Sequence, residues 1–506
     1  MLEVLLKSVA DADVVDAPPF LAGTWSGEGP SAERLGPYLR RTVSRAPTAL
    51  PAEIEQAVAD ARLYAPQVAS LAPAARAEIL QRASALALAN RDQLAQLLAL
   101  ELGKPVKDSR VEIERVASTF EVCAAEARRI DGETLPVAGW NTGIGNSAFT
   151  YRAPAGVALA ITPFNAPANL LAHKLGASFA AGNTTLVKAP PQAPGISAAI
   201  VALLLDSGMP YQAVQLLHGG GDVGAALCGA TEVDVISFTG SAVTGAAVAR
   251  AAGAKRLALE LGGNAATIIC EDADIDAAAK TAARTGYSNS GQSCISVQRV
   301  YVHRSRYADF LDAFTAAVDR LIVGDPMDPS TDIGSMVDDD AADRVVRWSA
   351  EAAELGASVL RGGTRDGATA SPTIIAGPPA HASVVVHEVF GALVAVMPYD
   401  EFGTVLGECN ASRYGLQAGL YTNDINRIFT AWRRLEVGGL IVNGTSNFRL
   451  DHVPFGGVKD SGFGRESPRW LIDDYTVVKT LMLRGLSIWG DRHDLTKENS
   501  DHRNRG

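Results

Sequence analysis

At the segment Val235-Ile236-Ser237-Phe238-Thr239-Gly240-Ser241 the sequence pattern changes from that of a strand to that of a helix. Its first four residues form a mainly apolar run with the length of a buried strand, and the alanine-rich stretch 242–252 after it predicts a helix. Thr239-Gly240-Ser241 is therefore the turn from a strand into a helix. The free amide groups and the positive dipole end of such a helix favour the binding of a pyrophosphate group.

Apolar strands alternate with helices on both sides of this segment. Further strands are predicted at 157–161, 185–188, 214–217, 265–270, 384–386 and 393–399. Residues 51–129 predict helices only, and a long helix is predicted at 338–355. This alternation predicts an α/β fold with a parallel sheet that has helices on both faces. Such sheets bind ligands at the carboxyl ends of their strands.

A second glycine-rich turn is less informative. Gly219-Gly220-Gly221-Asp222-Val223-Gly224 fits the pattern G-x-G-x-x-G between a predicted strand and a predicted helix. A run of glycines meets that pattern easily, and no acidic residue follows about 20 positions later, as a dinucleotide fingerprint requires. We interpret this run as a tight turn between a strand and a helix.

Cys294 lies in the turn-like stretch Ser290-Gly291-Gln292-Ser293-Cys294-Ile295-Ser296, just before an alternating, strand-like run at 297–302. Glycine lets the backbone come close to a ligand there, so a substrate can reach this thiol. The other four cysteines have apolar or helix-forming neighbours and are interpreted as buried small hydrophobic residues: Cys123, Cys228, Cys270 and Cys409. From its neighbours alone, Cys294 is either an ordinary turn cysteine or a nucleophile.

Two further residues have side chains suited to catalysis. Glu260 stands between two leucines and before Gly262-Gly263, so its carboxyl group should be partly desolvated and its pKa raised toward that of a general base. A salt-bridged structural glutamate is the alternative. Asn165, in Thr162-Pro163-Phe164-Asn165-Ala166-Pro167, follows a predicted strand. Its amide could donate to an oxyanion, or it could be a helix N-cap.

These segments, in this order, resemble the aldehyde dehydrogenase superfamily over about residues 15–485. The matching pieces are Pro163-Phe164-Asn165, Lys188, Phe238-Thr239-Gly240-Ser241 with Gly245, Glu260-Leu261-Gly262-Gly263, Gly291-Gln292-Ser293-Cys294, Glu388-Val389-Phe390-Gly391, and Pro454-Phe455-Gly456-Gly457 with Gly462. The separation of Glu260 from Cys294, 294 − 260 = 34 residues, also fits. Within the superfamily, the chain is similar to the lactaldehyde, succinate-semialdehyde and non-phosphorylating glyceraldehyde-3-phosphate dehydrogenases.

The resemblance implies an enzyme that oxidises an aldehyde to the carboxylic acid with NAD or NADP. Cys294, as a thiolate, would form a thiohemiacetal and then a thioester. The Asn165 amide and the Cys294 N–H would hold the oxyanion, and Glu260 would activate the hydrolytic water. For Lys188 a solvated charge, and for Glu388 a surface acid, are the alternatives. The resemblance implies that the cofactor is bound by Thr162, Pro163, Phe164, Lys188, Pro191, Phe238, Thr239, Gly240, Ser241, Leu261, Gly262, Glu388 and Phe390.

Two departures from the family pattern affect specificity. Members that prefer NAD usually carry a glutamate shortly after the lysine, but here the run is Lys188-Ala189-Pro190-Pro191-Gln192. A 2′-phosphate would meet no repulsion there, so both NADP and NAD are admissible. Members that act on phosphorylated aldehydes often have arginine before the nucleophile. Here that residue is Ser293, which weakens the case for a strongly anionic substrate.

The resemblance also implies a substrate pocket. Its residues would be Arg115, Leu170, His173, Ser293, Ile295 and Arg449. Two cations and an imidazole could receive a carboxylate or another small anion, so a small polar or acidic aldehyde is expected. In the alternative interpretation Arg115 pairs with Glu112 or Glu114, and Arg449 pairs with Asp451.

The fold implied by the resemblance has three parts. A Rossmann-like cofactor-binding domain would comprise 15–131 and 153–262, an α/β catalytic domain 263–440, and a β oligomerisation arm 132–152 and 470–486. Residues 441–469 would form a substrate loop that returns to the cofactor domain. The first 15 or so residues are predicted to be peripheral and the charged tail 487–506 to be disordered. Because the extended segments 147–152 and 475–483 resemble the family's arms, a homodimer or homotetramer is expected.

Composition argues against other classes of protein. The 506 residues include 45 Lys and Arg against 56 Asp and Glu, and this formal charge of −11 argues against nucleic-acid binding. No window approaches the roughly 20 apolar residues of a membrane span. The five cysteines suggest neither a disulfide framework nor a metal site. We therefore expect a cytoplasmic enzyme without a metal or a membrane partner.

Three competing functions fit less well. A CoA-acylating semialdehyde dehydrogenase often lacks the base glutamate, so Glu260 argues against it. A non-catalytic binding protein on the same fold would be marked by loss of the cysteine, but Cys294 is present together with Asn165. A thiol protease would need a histidine that activates Cys294, and no motif places one.

Overall fold

The computed structural model describes residues 1–488, and its first part is mainly helical. The elements are α1 (Leu2–Ala10), β1 (Val15–Asp16), β2 (Phe20–Leu21), β3 (Thr24–Trp25), β4 (Ser31–Leu35), β5 (Thr42–Pro47), α2 (Pro51–Ala69), α3 (Pro73–Ala89), α4 (Arg91–Leu102) and α5 (Val106–Ala127). Pro51 and Pro73 begin helices, where the missing N–H of proline costs nothing. Gly103 ends α4 in the left-handed conformation, with φ +71°. The helices predicted for 51–129 are confirmed.

The prediction that the first residues are peripheral is wrong. Helix α1 buries four side chains against the core that α3, α4, α5 and the later helices share: Leu2, Leu5, Leu6 and Val9. Their spacing of three and four residues is the apolar face of an amphipathic helix. Only tertiary contact shows that this short helix has a partner surface, because a helix of nine residues is marginal by itself.

A parallel sheet forms the centre of the next part. Its elements are β6 (Thr134–Leu135), β7 (Ser147–Pro154), β8 (Val157–Ile161), α6 (Pro167–Ala181), β9 (Thr184–Lys188), α7 (Pro194–Asp206), β10 (Val214–Leu217), α8 (Gly221–Gly229), β11 (Val235–Thr239), α9 (Ala242–Ala252) and β12 (Arg256–Glu260). The spatial order of the parallel strands is β12-β11-β8-β9-β10. The order reverses beside β8, which is where such sheets bind ligands.

The rest of the chain contains a second large sheet. The elements of this part are β13 (Ala266–Ile269), α10 (Ile275–Tyr287), β14 (Arg299–His303), α11 (Tyr307–Val318), α12 (Asp339–Glu354), β15 (Ser358–Arg361), β16 (Arg365–Asp366), β17 (Thr369–Ala370), β18 (Thr373–Ala376), α13 (Ser383–Val386), β19 (Leu393–Tyr399), α14 (Phe402–Asn410), β20 (Tyr414–Gly415), β21 (Gln417–Tyr421), α15 (Ile425–Arg434), β22 (Gly439–Val442), β23 (Val458–Lys459), β24 (Gly462–Phe463), α16 (Pro468–Asp474) and β25 (Thr476–Leu483). Seven of these strands form the second sheet, in the order β15-β18-β19-β14-β13-β21-β22. Its central strands are parallel.

The predicted α/β fold is confirmed, with one strand wrongly assigned. Residues 384–386 form part of the short helix α13, with Val384 and Val385 buried. Three consecutive valines favour a strand by propensity, but a short apolar run does not distinguish a strand from a buried helical turn. The long helix predicted at 338–355 is α12, and the strand predicted at 393–399 is β19.

Strands β6, β7 and β25 form a separate three-stranded sheet. Strands β25 and β7 pair antiparallel over eight residues, from Thr476 opposite Pro154 to Leu483 opposite Ser147. The two extended segments predicted at 147–152 and 475–483 are therefore neighbours in space. All but the first two residues of the predicted disordered tail lie outside the described residues.

The chain passes from the first sheet to the second directly at Glu260. This residue ends β12, and β13 in the second sheet begins at Ala266. On its other side Glu260 pairs with Gly462 of β24, so the C-terminal part of the chain also reaches this point. The place where a site can form is thus between the two sheets. Across residues 1–488, no helix has the length and apolar character needed to span a membrane.

Candidate active site

A cavity of about 950 Å³ lies at the carboxyl ends of β8, β9, β11 and β12. Of the 22 predicted site residues, it is lined by 21: Arg115, Thr162, Pro163, Phe164, Asn165, Leu170, Lys188, Pro191, Phe238, Thr239, Gly240, Ser241, Glu260, Leu261, Gly262, Ser293, Cys294, Ile295, Glu388, Phe390 and Arg449. His173 is fully buried and does not line it. The fold therefore brings residues far apart in sequence to one cavity.

Cys294 reaches the cavity on a turn with an unusual backbone. Asn289, Ser290 and Gly291 all have left-handed φ values, of 50°, 56° and 71°. Gly291 is required because a Cβ atom there would lie 2.1 Å from the carbonyl oxygen of Gly391. The turn leaves Cys294 half-buried, whereas the other four cysteines are buried.

The surroundings of Cys294 favour the thiol over the thiolate. Burial, followed by the carboxyl group of Glu388, raises the pKa of Cys294 to about 12, and the Arg449 cation only partly opposes this shift. Apolar neighbours and nearby carboxylates both disfavour the anion, so the thiolate that the resemblance implies as the attacking species has to form during the reaction. A base must remove the thiol proton when the nucleophile attacks.

This pKa predicts the pH dependence of alkylation. Below pH 12 the thiolate fraction of Cys294 rises about tenfold per pH unit, so its alkylation by iodoacetamide should rise with that slope from pH 6 to 9 without a plateau. The measurement is stopped-flow or mass-spectrometric labelling without cofactor, with Cys294→Ala as the blank for the four buried cysteines. A plateau below pH 8 would show that the resting thiolate forms after all.

Glu260 carries a buried carboxyl group. The residue is 4% exposed, and neither carboxyl oxygen has a hydrogen bond within the described residues. Burial, and next the nearby Glu466 carboxylate, raise the pKa of Glu260 well above its usual value. The alternative of a salt-bridged structural glutamate does not hold. A desolvated carboxyl group with a raised pKa is suited to accept a proton.

The amide of Asn165 is not used as a helix cap. Helix α6 has Ala166 at its N-cap, and the Glu112 carboxylate accepts the first free amides, those of Ala168 (3.0 Å) and Asn169 (3.2 Å). The N-cap interpretation of Asn165 is therefore wrong. Within residues 1–488, neither the Asn165 side-chain amide nor the Cys294 N–H has a hydrogen-bond partner. Two donors are thus free beside the thiol.

The other end of the cavity fits a nicotinamide dinucleotide. Lys188 is only 6% exposed, and burial lowers its pKa to about 8, so it is not a solvated surface charge. Helix α9 begins after Ser241, whose hydroxyl accepts the Thr244 amide and leaves earlier amides free for a phosphate. Near the thiol, Glu388 accepts the Gly263 amide at 2.9 Å through one oxygen. A Cβ atom on Gly262 would lie 2.2 Å from its other oxygen.

A network of buried charges surrounds the inner end of the cavity. Arg115 donates to both oxygens of Asp451, at 3.2 and 2.7 Å. Arg449 pairs with Glu466 at 3.3 Å and lies 4.1 Å above the ring of Phe455. The ion-pair partners suggested from sequence for Arg115 and Arg449 are therefore wrong. Glu112 instead pairs with Lys104, and Glu114 with Arg91.

His173 belongs to this network rather than to the cavity wall. Its Nε2 lies 3.0 Å from Asp451 Oδ1 and 3.2 Å from Arg449 Nη2. Burial, and then the Arg449 charge, lower the pKa of His173, which is therefore neutral near pH 7. Burial by itself would raise the pKa of Asp451. The hydrogen bonds from His173 and Arg115 outweigh that effect and lower this pKa well below its usual range.

Comparison with known proteins agrees with this geometry. The family model described as the aldehyde dehydrogenase family matches residues 25–481. The chain belongs to the aldehyde dehydrogenase family. It is therefore an enzyme that oxidises aldehydes, and aldehyde dehydrogenases use NAD or NADP.

Three relatives of this aldehyde dehydrogenase give a closer comparison. It is 40% identical to the 3-sulfolactaldehyde dehydrogenase of Priestia aryabhattai, over 92% of this chain and 97% of that protein. The structure of aldehyde dehydrogenase 21 from Physcomitrella patens, in complex with the reaction product succinate, matches with TM-score 0.91 at 32% identity, over 94% of this chain and 99% of that one. The glyceraldehyde-3-phosphate dehydrogenase from Methanocaldococcus jannaschii, complexed with NADP, has TM-score 0.85 at 32% identity, with 89% and 98% coverage.

Three charged residues of this aldehyde dehydrogenase were missed from sequence. Glu466 lines the cavity beside Arg449, and Lys174 donates to it at 2.7 Å from a fully buried position. Asp451 was considered only as a partner of Arg449. A charged residue in an apolar helix is the signal that could have indicated Lys174, which lies between His173 and Leu175. The signal for Glu466 is weaker, namely its position four residues after Gly462.

The Lys174–Glu466 pair predicts a large stability effect. Although burial opposes it, Lys174 and then Arg449 lower the pKa of Glu466 to about 2, so the carboxylate is charged at pH 7. Lys174→Met should reduce the free energy of unfolding by about 3–5 kcal/mol, because it leaves a buried charge short of a partner. Urea denaturation measures this, with Lys280→Met on the exposed face of α10 as the control. A loss below about 1 kcal/mol would contradict the expectation.

Side chains of metal-ligand type meet once within residues 1–488. Cys270, Glu271 and Asp272 lie together at the carboxyl end of β13. The guanidinium group of Arg427 pairs with both carboxylates there. This cluster therefore has a structural ion pair and lies apart from the cavity that contains Cys294.

Proposed function

We propose that this enzyme oxidises a short aldehyde with a polar or anionic group to the carboxylic acid, with NAD or NADP, through a thioester on Cys294. The observation that carries the proposal is the convergence of four groups on one cavity. These are the Cys294 thiol, the unpaired Glu260 carboxyl group, and the two free donors of Asn165 and Cys294. A nucleophile, a base and an oxyanion site are the parts that acyl transfer needs.

The chemistry follows from these groups. The Cys294 sulfur attacks the aldehyde carbon while its proton passes to a base, and the two donors stabilise the oxyanion of the thiohemiacetal. A nicotinamide dinucleotide, which Lys188, Ser241 and Glu388 would hold, would supply the hydride acceptor needed to oxidise this adduct to a thioester. Glu260 then takes a proton from water as the water attacks the thioester carbon. The C–S bond breaks, the acid leaves, and the departing Cys294 sulfur takes the proton from Glu260, which restores both the thiol and the carboxylate base.

The cavity supports both dinucleotides. Next to Lys188 it is lined by Pro190, Pro191 and Gln192, and none of these is a carboxylate that would repel a 2′-phosphate. Asp222 is the carboxylate that acts on the Lys188 charge, and it does not line this cavity. Lys188 itself is buried and has no hydrogen-bond partner among the described residues, so it is available to a ribose hydroxyl or a phosphate. The similar glyceraldehyde-3-phosphate dehydrogenase from Methanocaldococcus jannaschii was solved in complex with NADP.

The inner charges favour an aldehyde with an anionic or hydrogen-bond-accepting tail. Three cations, Arg115, Arg449 and Lys174, face two charged carboxylates, Asp451 and Glu466, so 3 − 2 leaves one net positive charge. Arg115 is 33% exposed and lines the cavity, so it can contact the tail. The 3-sulfolactaldehyde dehydrogenase relative acts, by its name, on an aldehyde of this kind.

The test is the formation of reduced nicotinamide with a panel of aldehydes. Sulfonated, carboxylated, hydroxylated and purely apolar aldehydes are each combined with NAD and NADP, with and without CoA. We expect turnover without CoA, and the highest kcat/KM for short sulfonated or carboxylated members. Turnover that requires CoA would establish the acylating reaction instead. Highest activity with apolar aldehydes would contradict the proposed role of the charges.

Assembly and compartment complete the proposal. Exposed apolar residues on β7 and β25 give the three-stranded sheet a surface for another subunit: Tyr151, Val478, Leu481 and Met482. A homodimer or homotetramer is proposed, and light scattering that shows a monomer at micromolar concentration would contradict it. The five unpaired cysteines fit a reducing compartment, which supports the cytoplasm.

A further inference from the structure

The side chain of Asn289 joins two segments of the active site. Its Nδ2 donates to the backbone carbonyl of Asn165 at 3.1 Å and to the backbone carbonyl of Gln292 at 3.3 Å. Asn165 carries one of the two free oxyanion donors, and Gln292 lies two residues before the nucleophile Cys294. One amide group thus spans the distance between the donor segment and the nucleophile turn.

The backbone around Asn289 is fixed independently. Asn289 has φ 50° and ψ 37°, a left-handed conformation that asparagine tolerates better than most residues. Its N–H donates to Asp108 Oδ2 at 3.0 Å, and the Ser288 hydroxyl donates to the same oxygen at 3.2 Å. Helix α5 therefore anchors the residue, and its side chain is aimed by a strained but well-bonded turn.

The peptide group of Asn165 is held by the side chain of Asn289. Its carbonyl oxygen accepts no other hydrogen bond among the described residues, and the Asn165 side chain makes none. The residues on either side are held elsewhere: the Phe164 ring packs against the Phe390 ring, and the Ala166 carbonyl accepts the Leu170 amide at 3.0 Å. The bond from Asn289 is therefore the hydrogen bond within residues 1–488 that links Asn165 to the nucleophile turn.

We propose that Asn289 is a positioning residue, which sets the Asn165 amide against the carbonyl group bound at Cys294. The inference rests on the proposed function, because it assumes that Asn165 donates to the oxyanion. Asn289 itself touches neither substrate nor cofactor; it acts through Asn165. Without its amide, the 165 carbonyl loses its donor and the segment can shift, and a displacement of about 1 Å in a catalytic donor costs roughly 100-fold in rate.

A double-mutant cycle tests the coupling. Asn289→Gly keeps the left-handed backbone and removes only the amide, and it should slow the burst of reduced cofactor about 10- to 100-fold. Asn165→Ala should slow it roughly 10²- to 10³-fold. In the double variant we expect a rate within about threefold of Asn165→Ala alone, because Asn289 has nothing left to position. Multiplied effects would overturn the proposal.

Two further readouts separate positioning from general disruption of the turn. Alkylation of Cys294 by iodoacetamide needs no oxyanion site, so Asn289→Gly should leave its rate within about threefold of the parent enzyme. A parallel loss of alkylation and acylation would show that the nucleophile itself had moved, and the proposal would fail. Ser290→Gly is the matched control, since this left-handed neighbour donates to Gly334 at 3.0 Å instead. When Ser290→Gly is combined with Asn165→Ala, the two reductions in the burst rate should multiply.

A second variant covers a failure to fold. Asn289→Asp preserves size and tolerance of the left-handed backbone but replaces the donor with an acceptor that faces two carbonyl oxygens. It should slow acylation at least as much as the glycine variant, and acylation within threefold of the parent would overturn the proposal. If Cys294→Ala retained turnover, the proposed function would fail. If Cys294→Ala were inactive but the effects of Asn289→Gly and Asn165→Ala multiplied in the double variant, the proposed function would stand and the role of Asn289 would fail.

Discussion

Cys294→Ala should lower aldehyde oxidation by at least about 10⁴-fold while leaving dinucleotide affinity nearly unchanged. The side chain supplies the only half-buried thiol within residues 1–488, and the cofactor end of the cavity is built by other residues, such as Lys188 and Ser241. Turnover is measured by absorbance of the reduced nicotinamide, and affinity by quenching of protein fluorescence.

The control for this variant is Cys409→Ala. Cys409 is buried on α14, in the core of the second sheet, and does not line the cavity. It should keep at least about half of the parent activity, apart from a modest loss of stability. Substantial turnover by Cys294→Ala would contradict the covalent mechanism, and a lost affinity for the dinucleotide would show that the substitution had damaged the cavity as a whole.

Glu260→Gln should separate the two halves of the reaction. Steady-state turnover should fall about 10²- to 10⁴-fold, because the water has no base. A first burst of about one reduced cofactor per active site should remain, since thioester formation precedes hydrolysis. Among the described residues Glu260 has no hydrogen-bond partner, and its pKa is raised by burial and by Glu466, so a neutral amide of the same size should leave stability nearly intact.

The pH profile gives a second test of the same residue. Because the pKa of Glu260 is raised, the carboxyl group is protonated at low pH and becomes a base only as the pH rises through that pKa. The hydrolysis rate of the parent should therefore increase with pH, and this limb should be absent from Glu260→Gln. Added hydroxylamine, a nucleophile that needs no base, should restore turnover to the variant. Hydrolysis within threefold of the parent would assign the base to another group.

Much of the fold follows from local sequence patterns. The strand–turn–helix unit around Thr239-Gly240-Ser241 is confirmed as β11 and α9, since apolar periodicity and a capping serine act over a few residues. The valine run at 384–386 shows the limit, because its propensity favours a strand whereas its neighbours place it in a helical turn. The N-terminal helix shows another limit, as its burial depends on surfaces that are distant in sequence.

The site shows the same division. The placement of Cys294, Glu260 and Asn165 in one cavity agrees with their motifs, and so does the placement of all the cofactor residues. The catalytic roles themselves stay predictions. Ion-pair partners could not be found this way, since Arg115 and Asp451 are 336 positions apart, and Glu466 is 292 positions from Lys174. Their spacing made Glu112 and Glu114 plausible partners for Arg115. In the fold, however, Glu112 pairs with Lys104 and Glu114 pairs with Arg91.

The α/β class and the family can both be found from the sequence, because strand and helix patterns and short motifs lie within a few neighbouring residues. The electrostatics of the site can be found only from the tertiary structure. Burial, and next the Glu388 carboxyl group, raise the pKa of Cys294, and burial, and next the Glu466 carboxylate, raise the pKa of Glu260. Both shifts depend on desolvation and on charges from distant segments, and these quantities exist only once the two sheets have closed around the cavity.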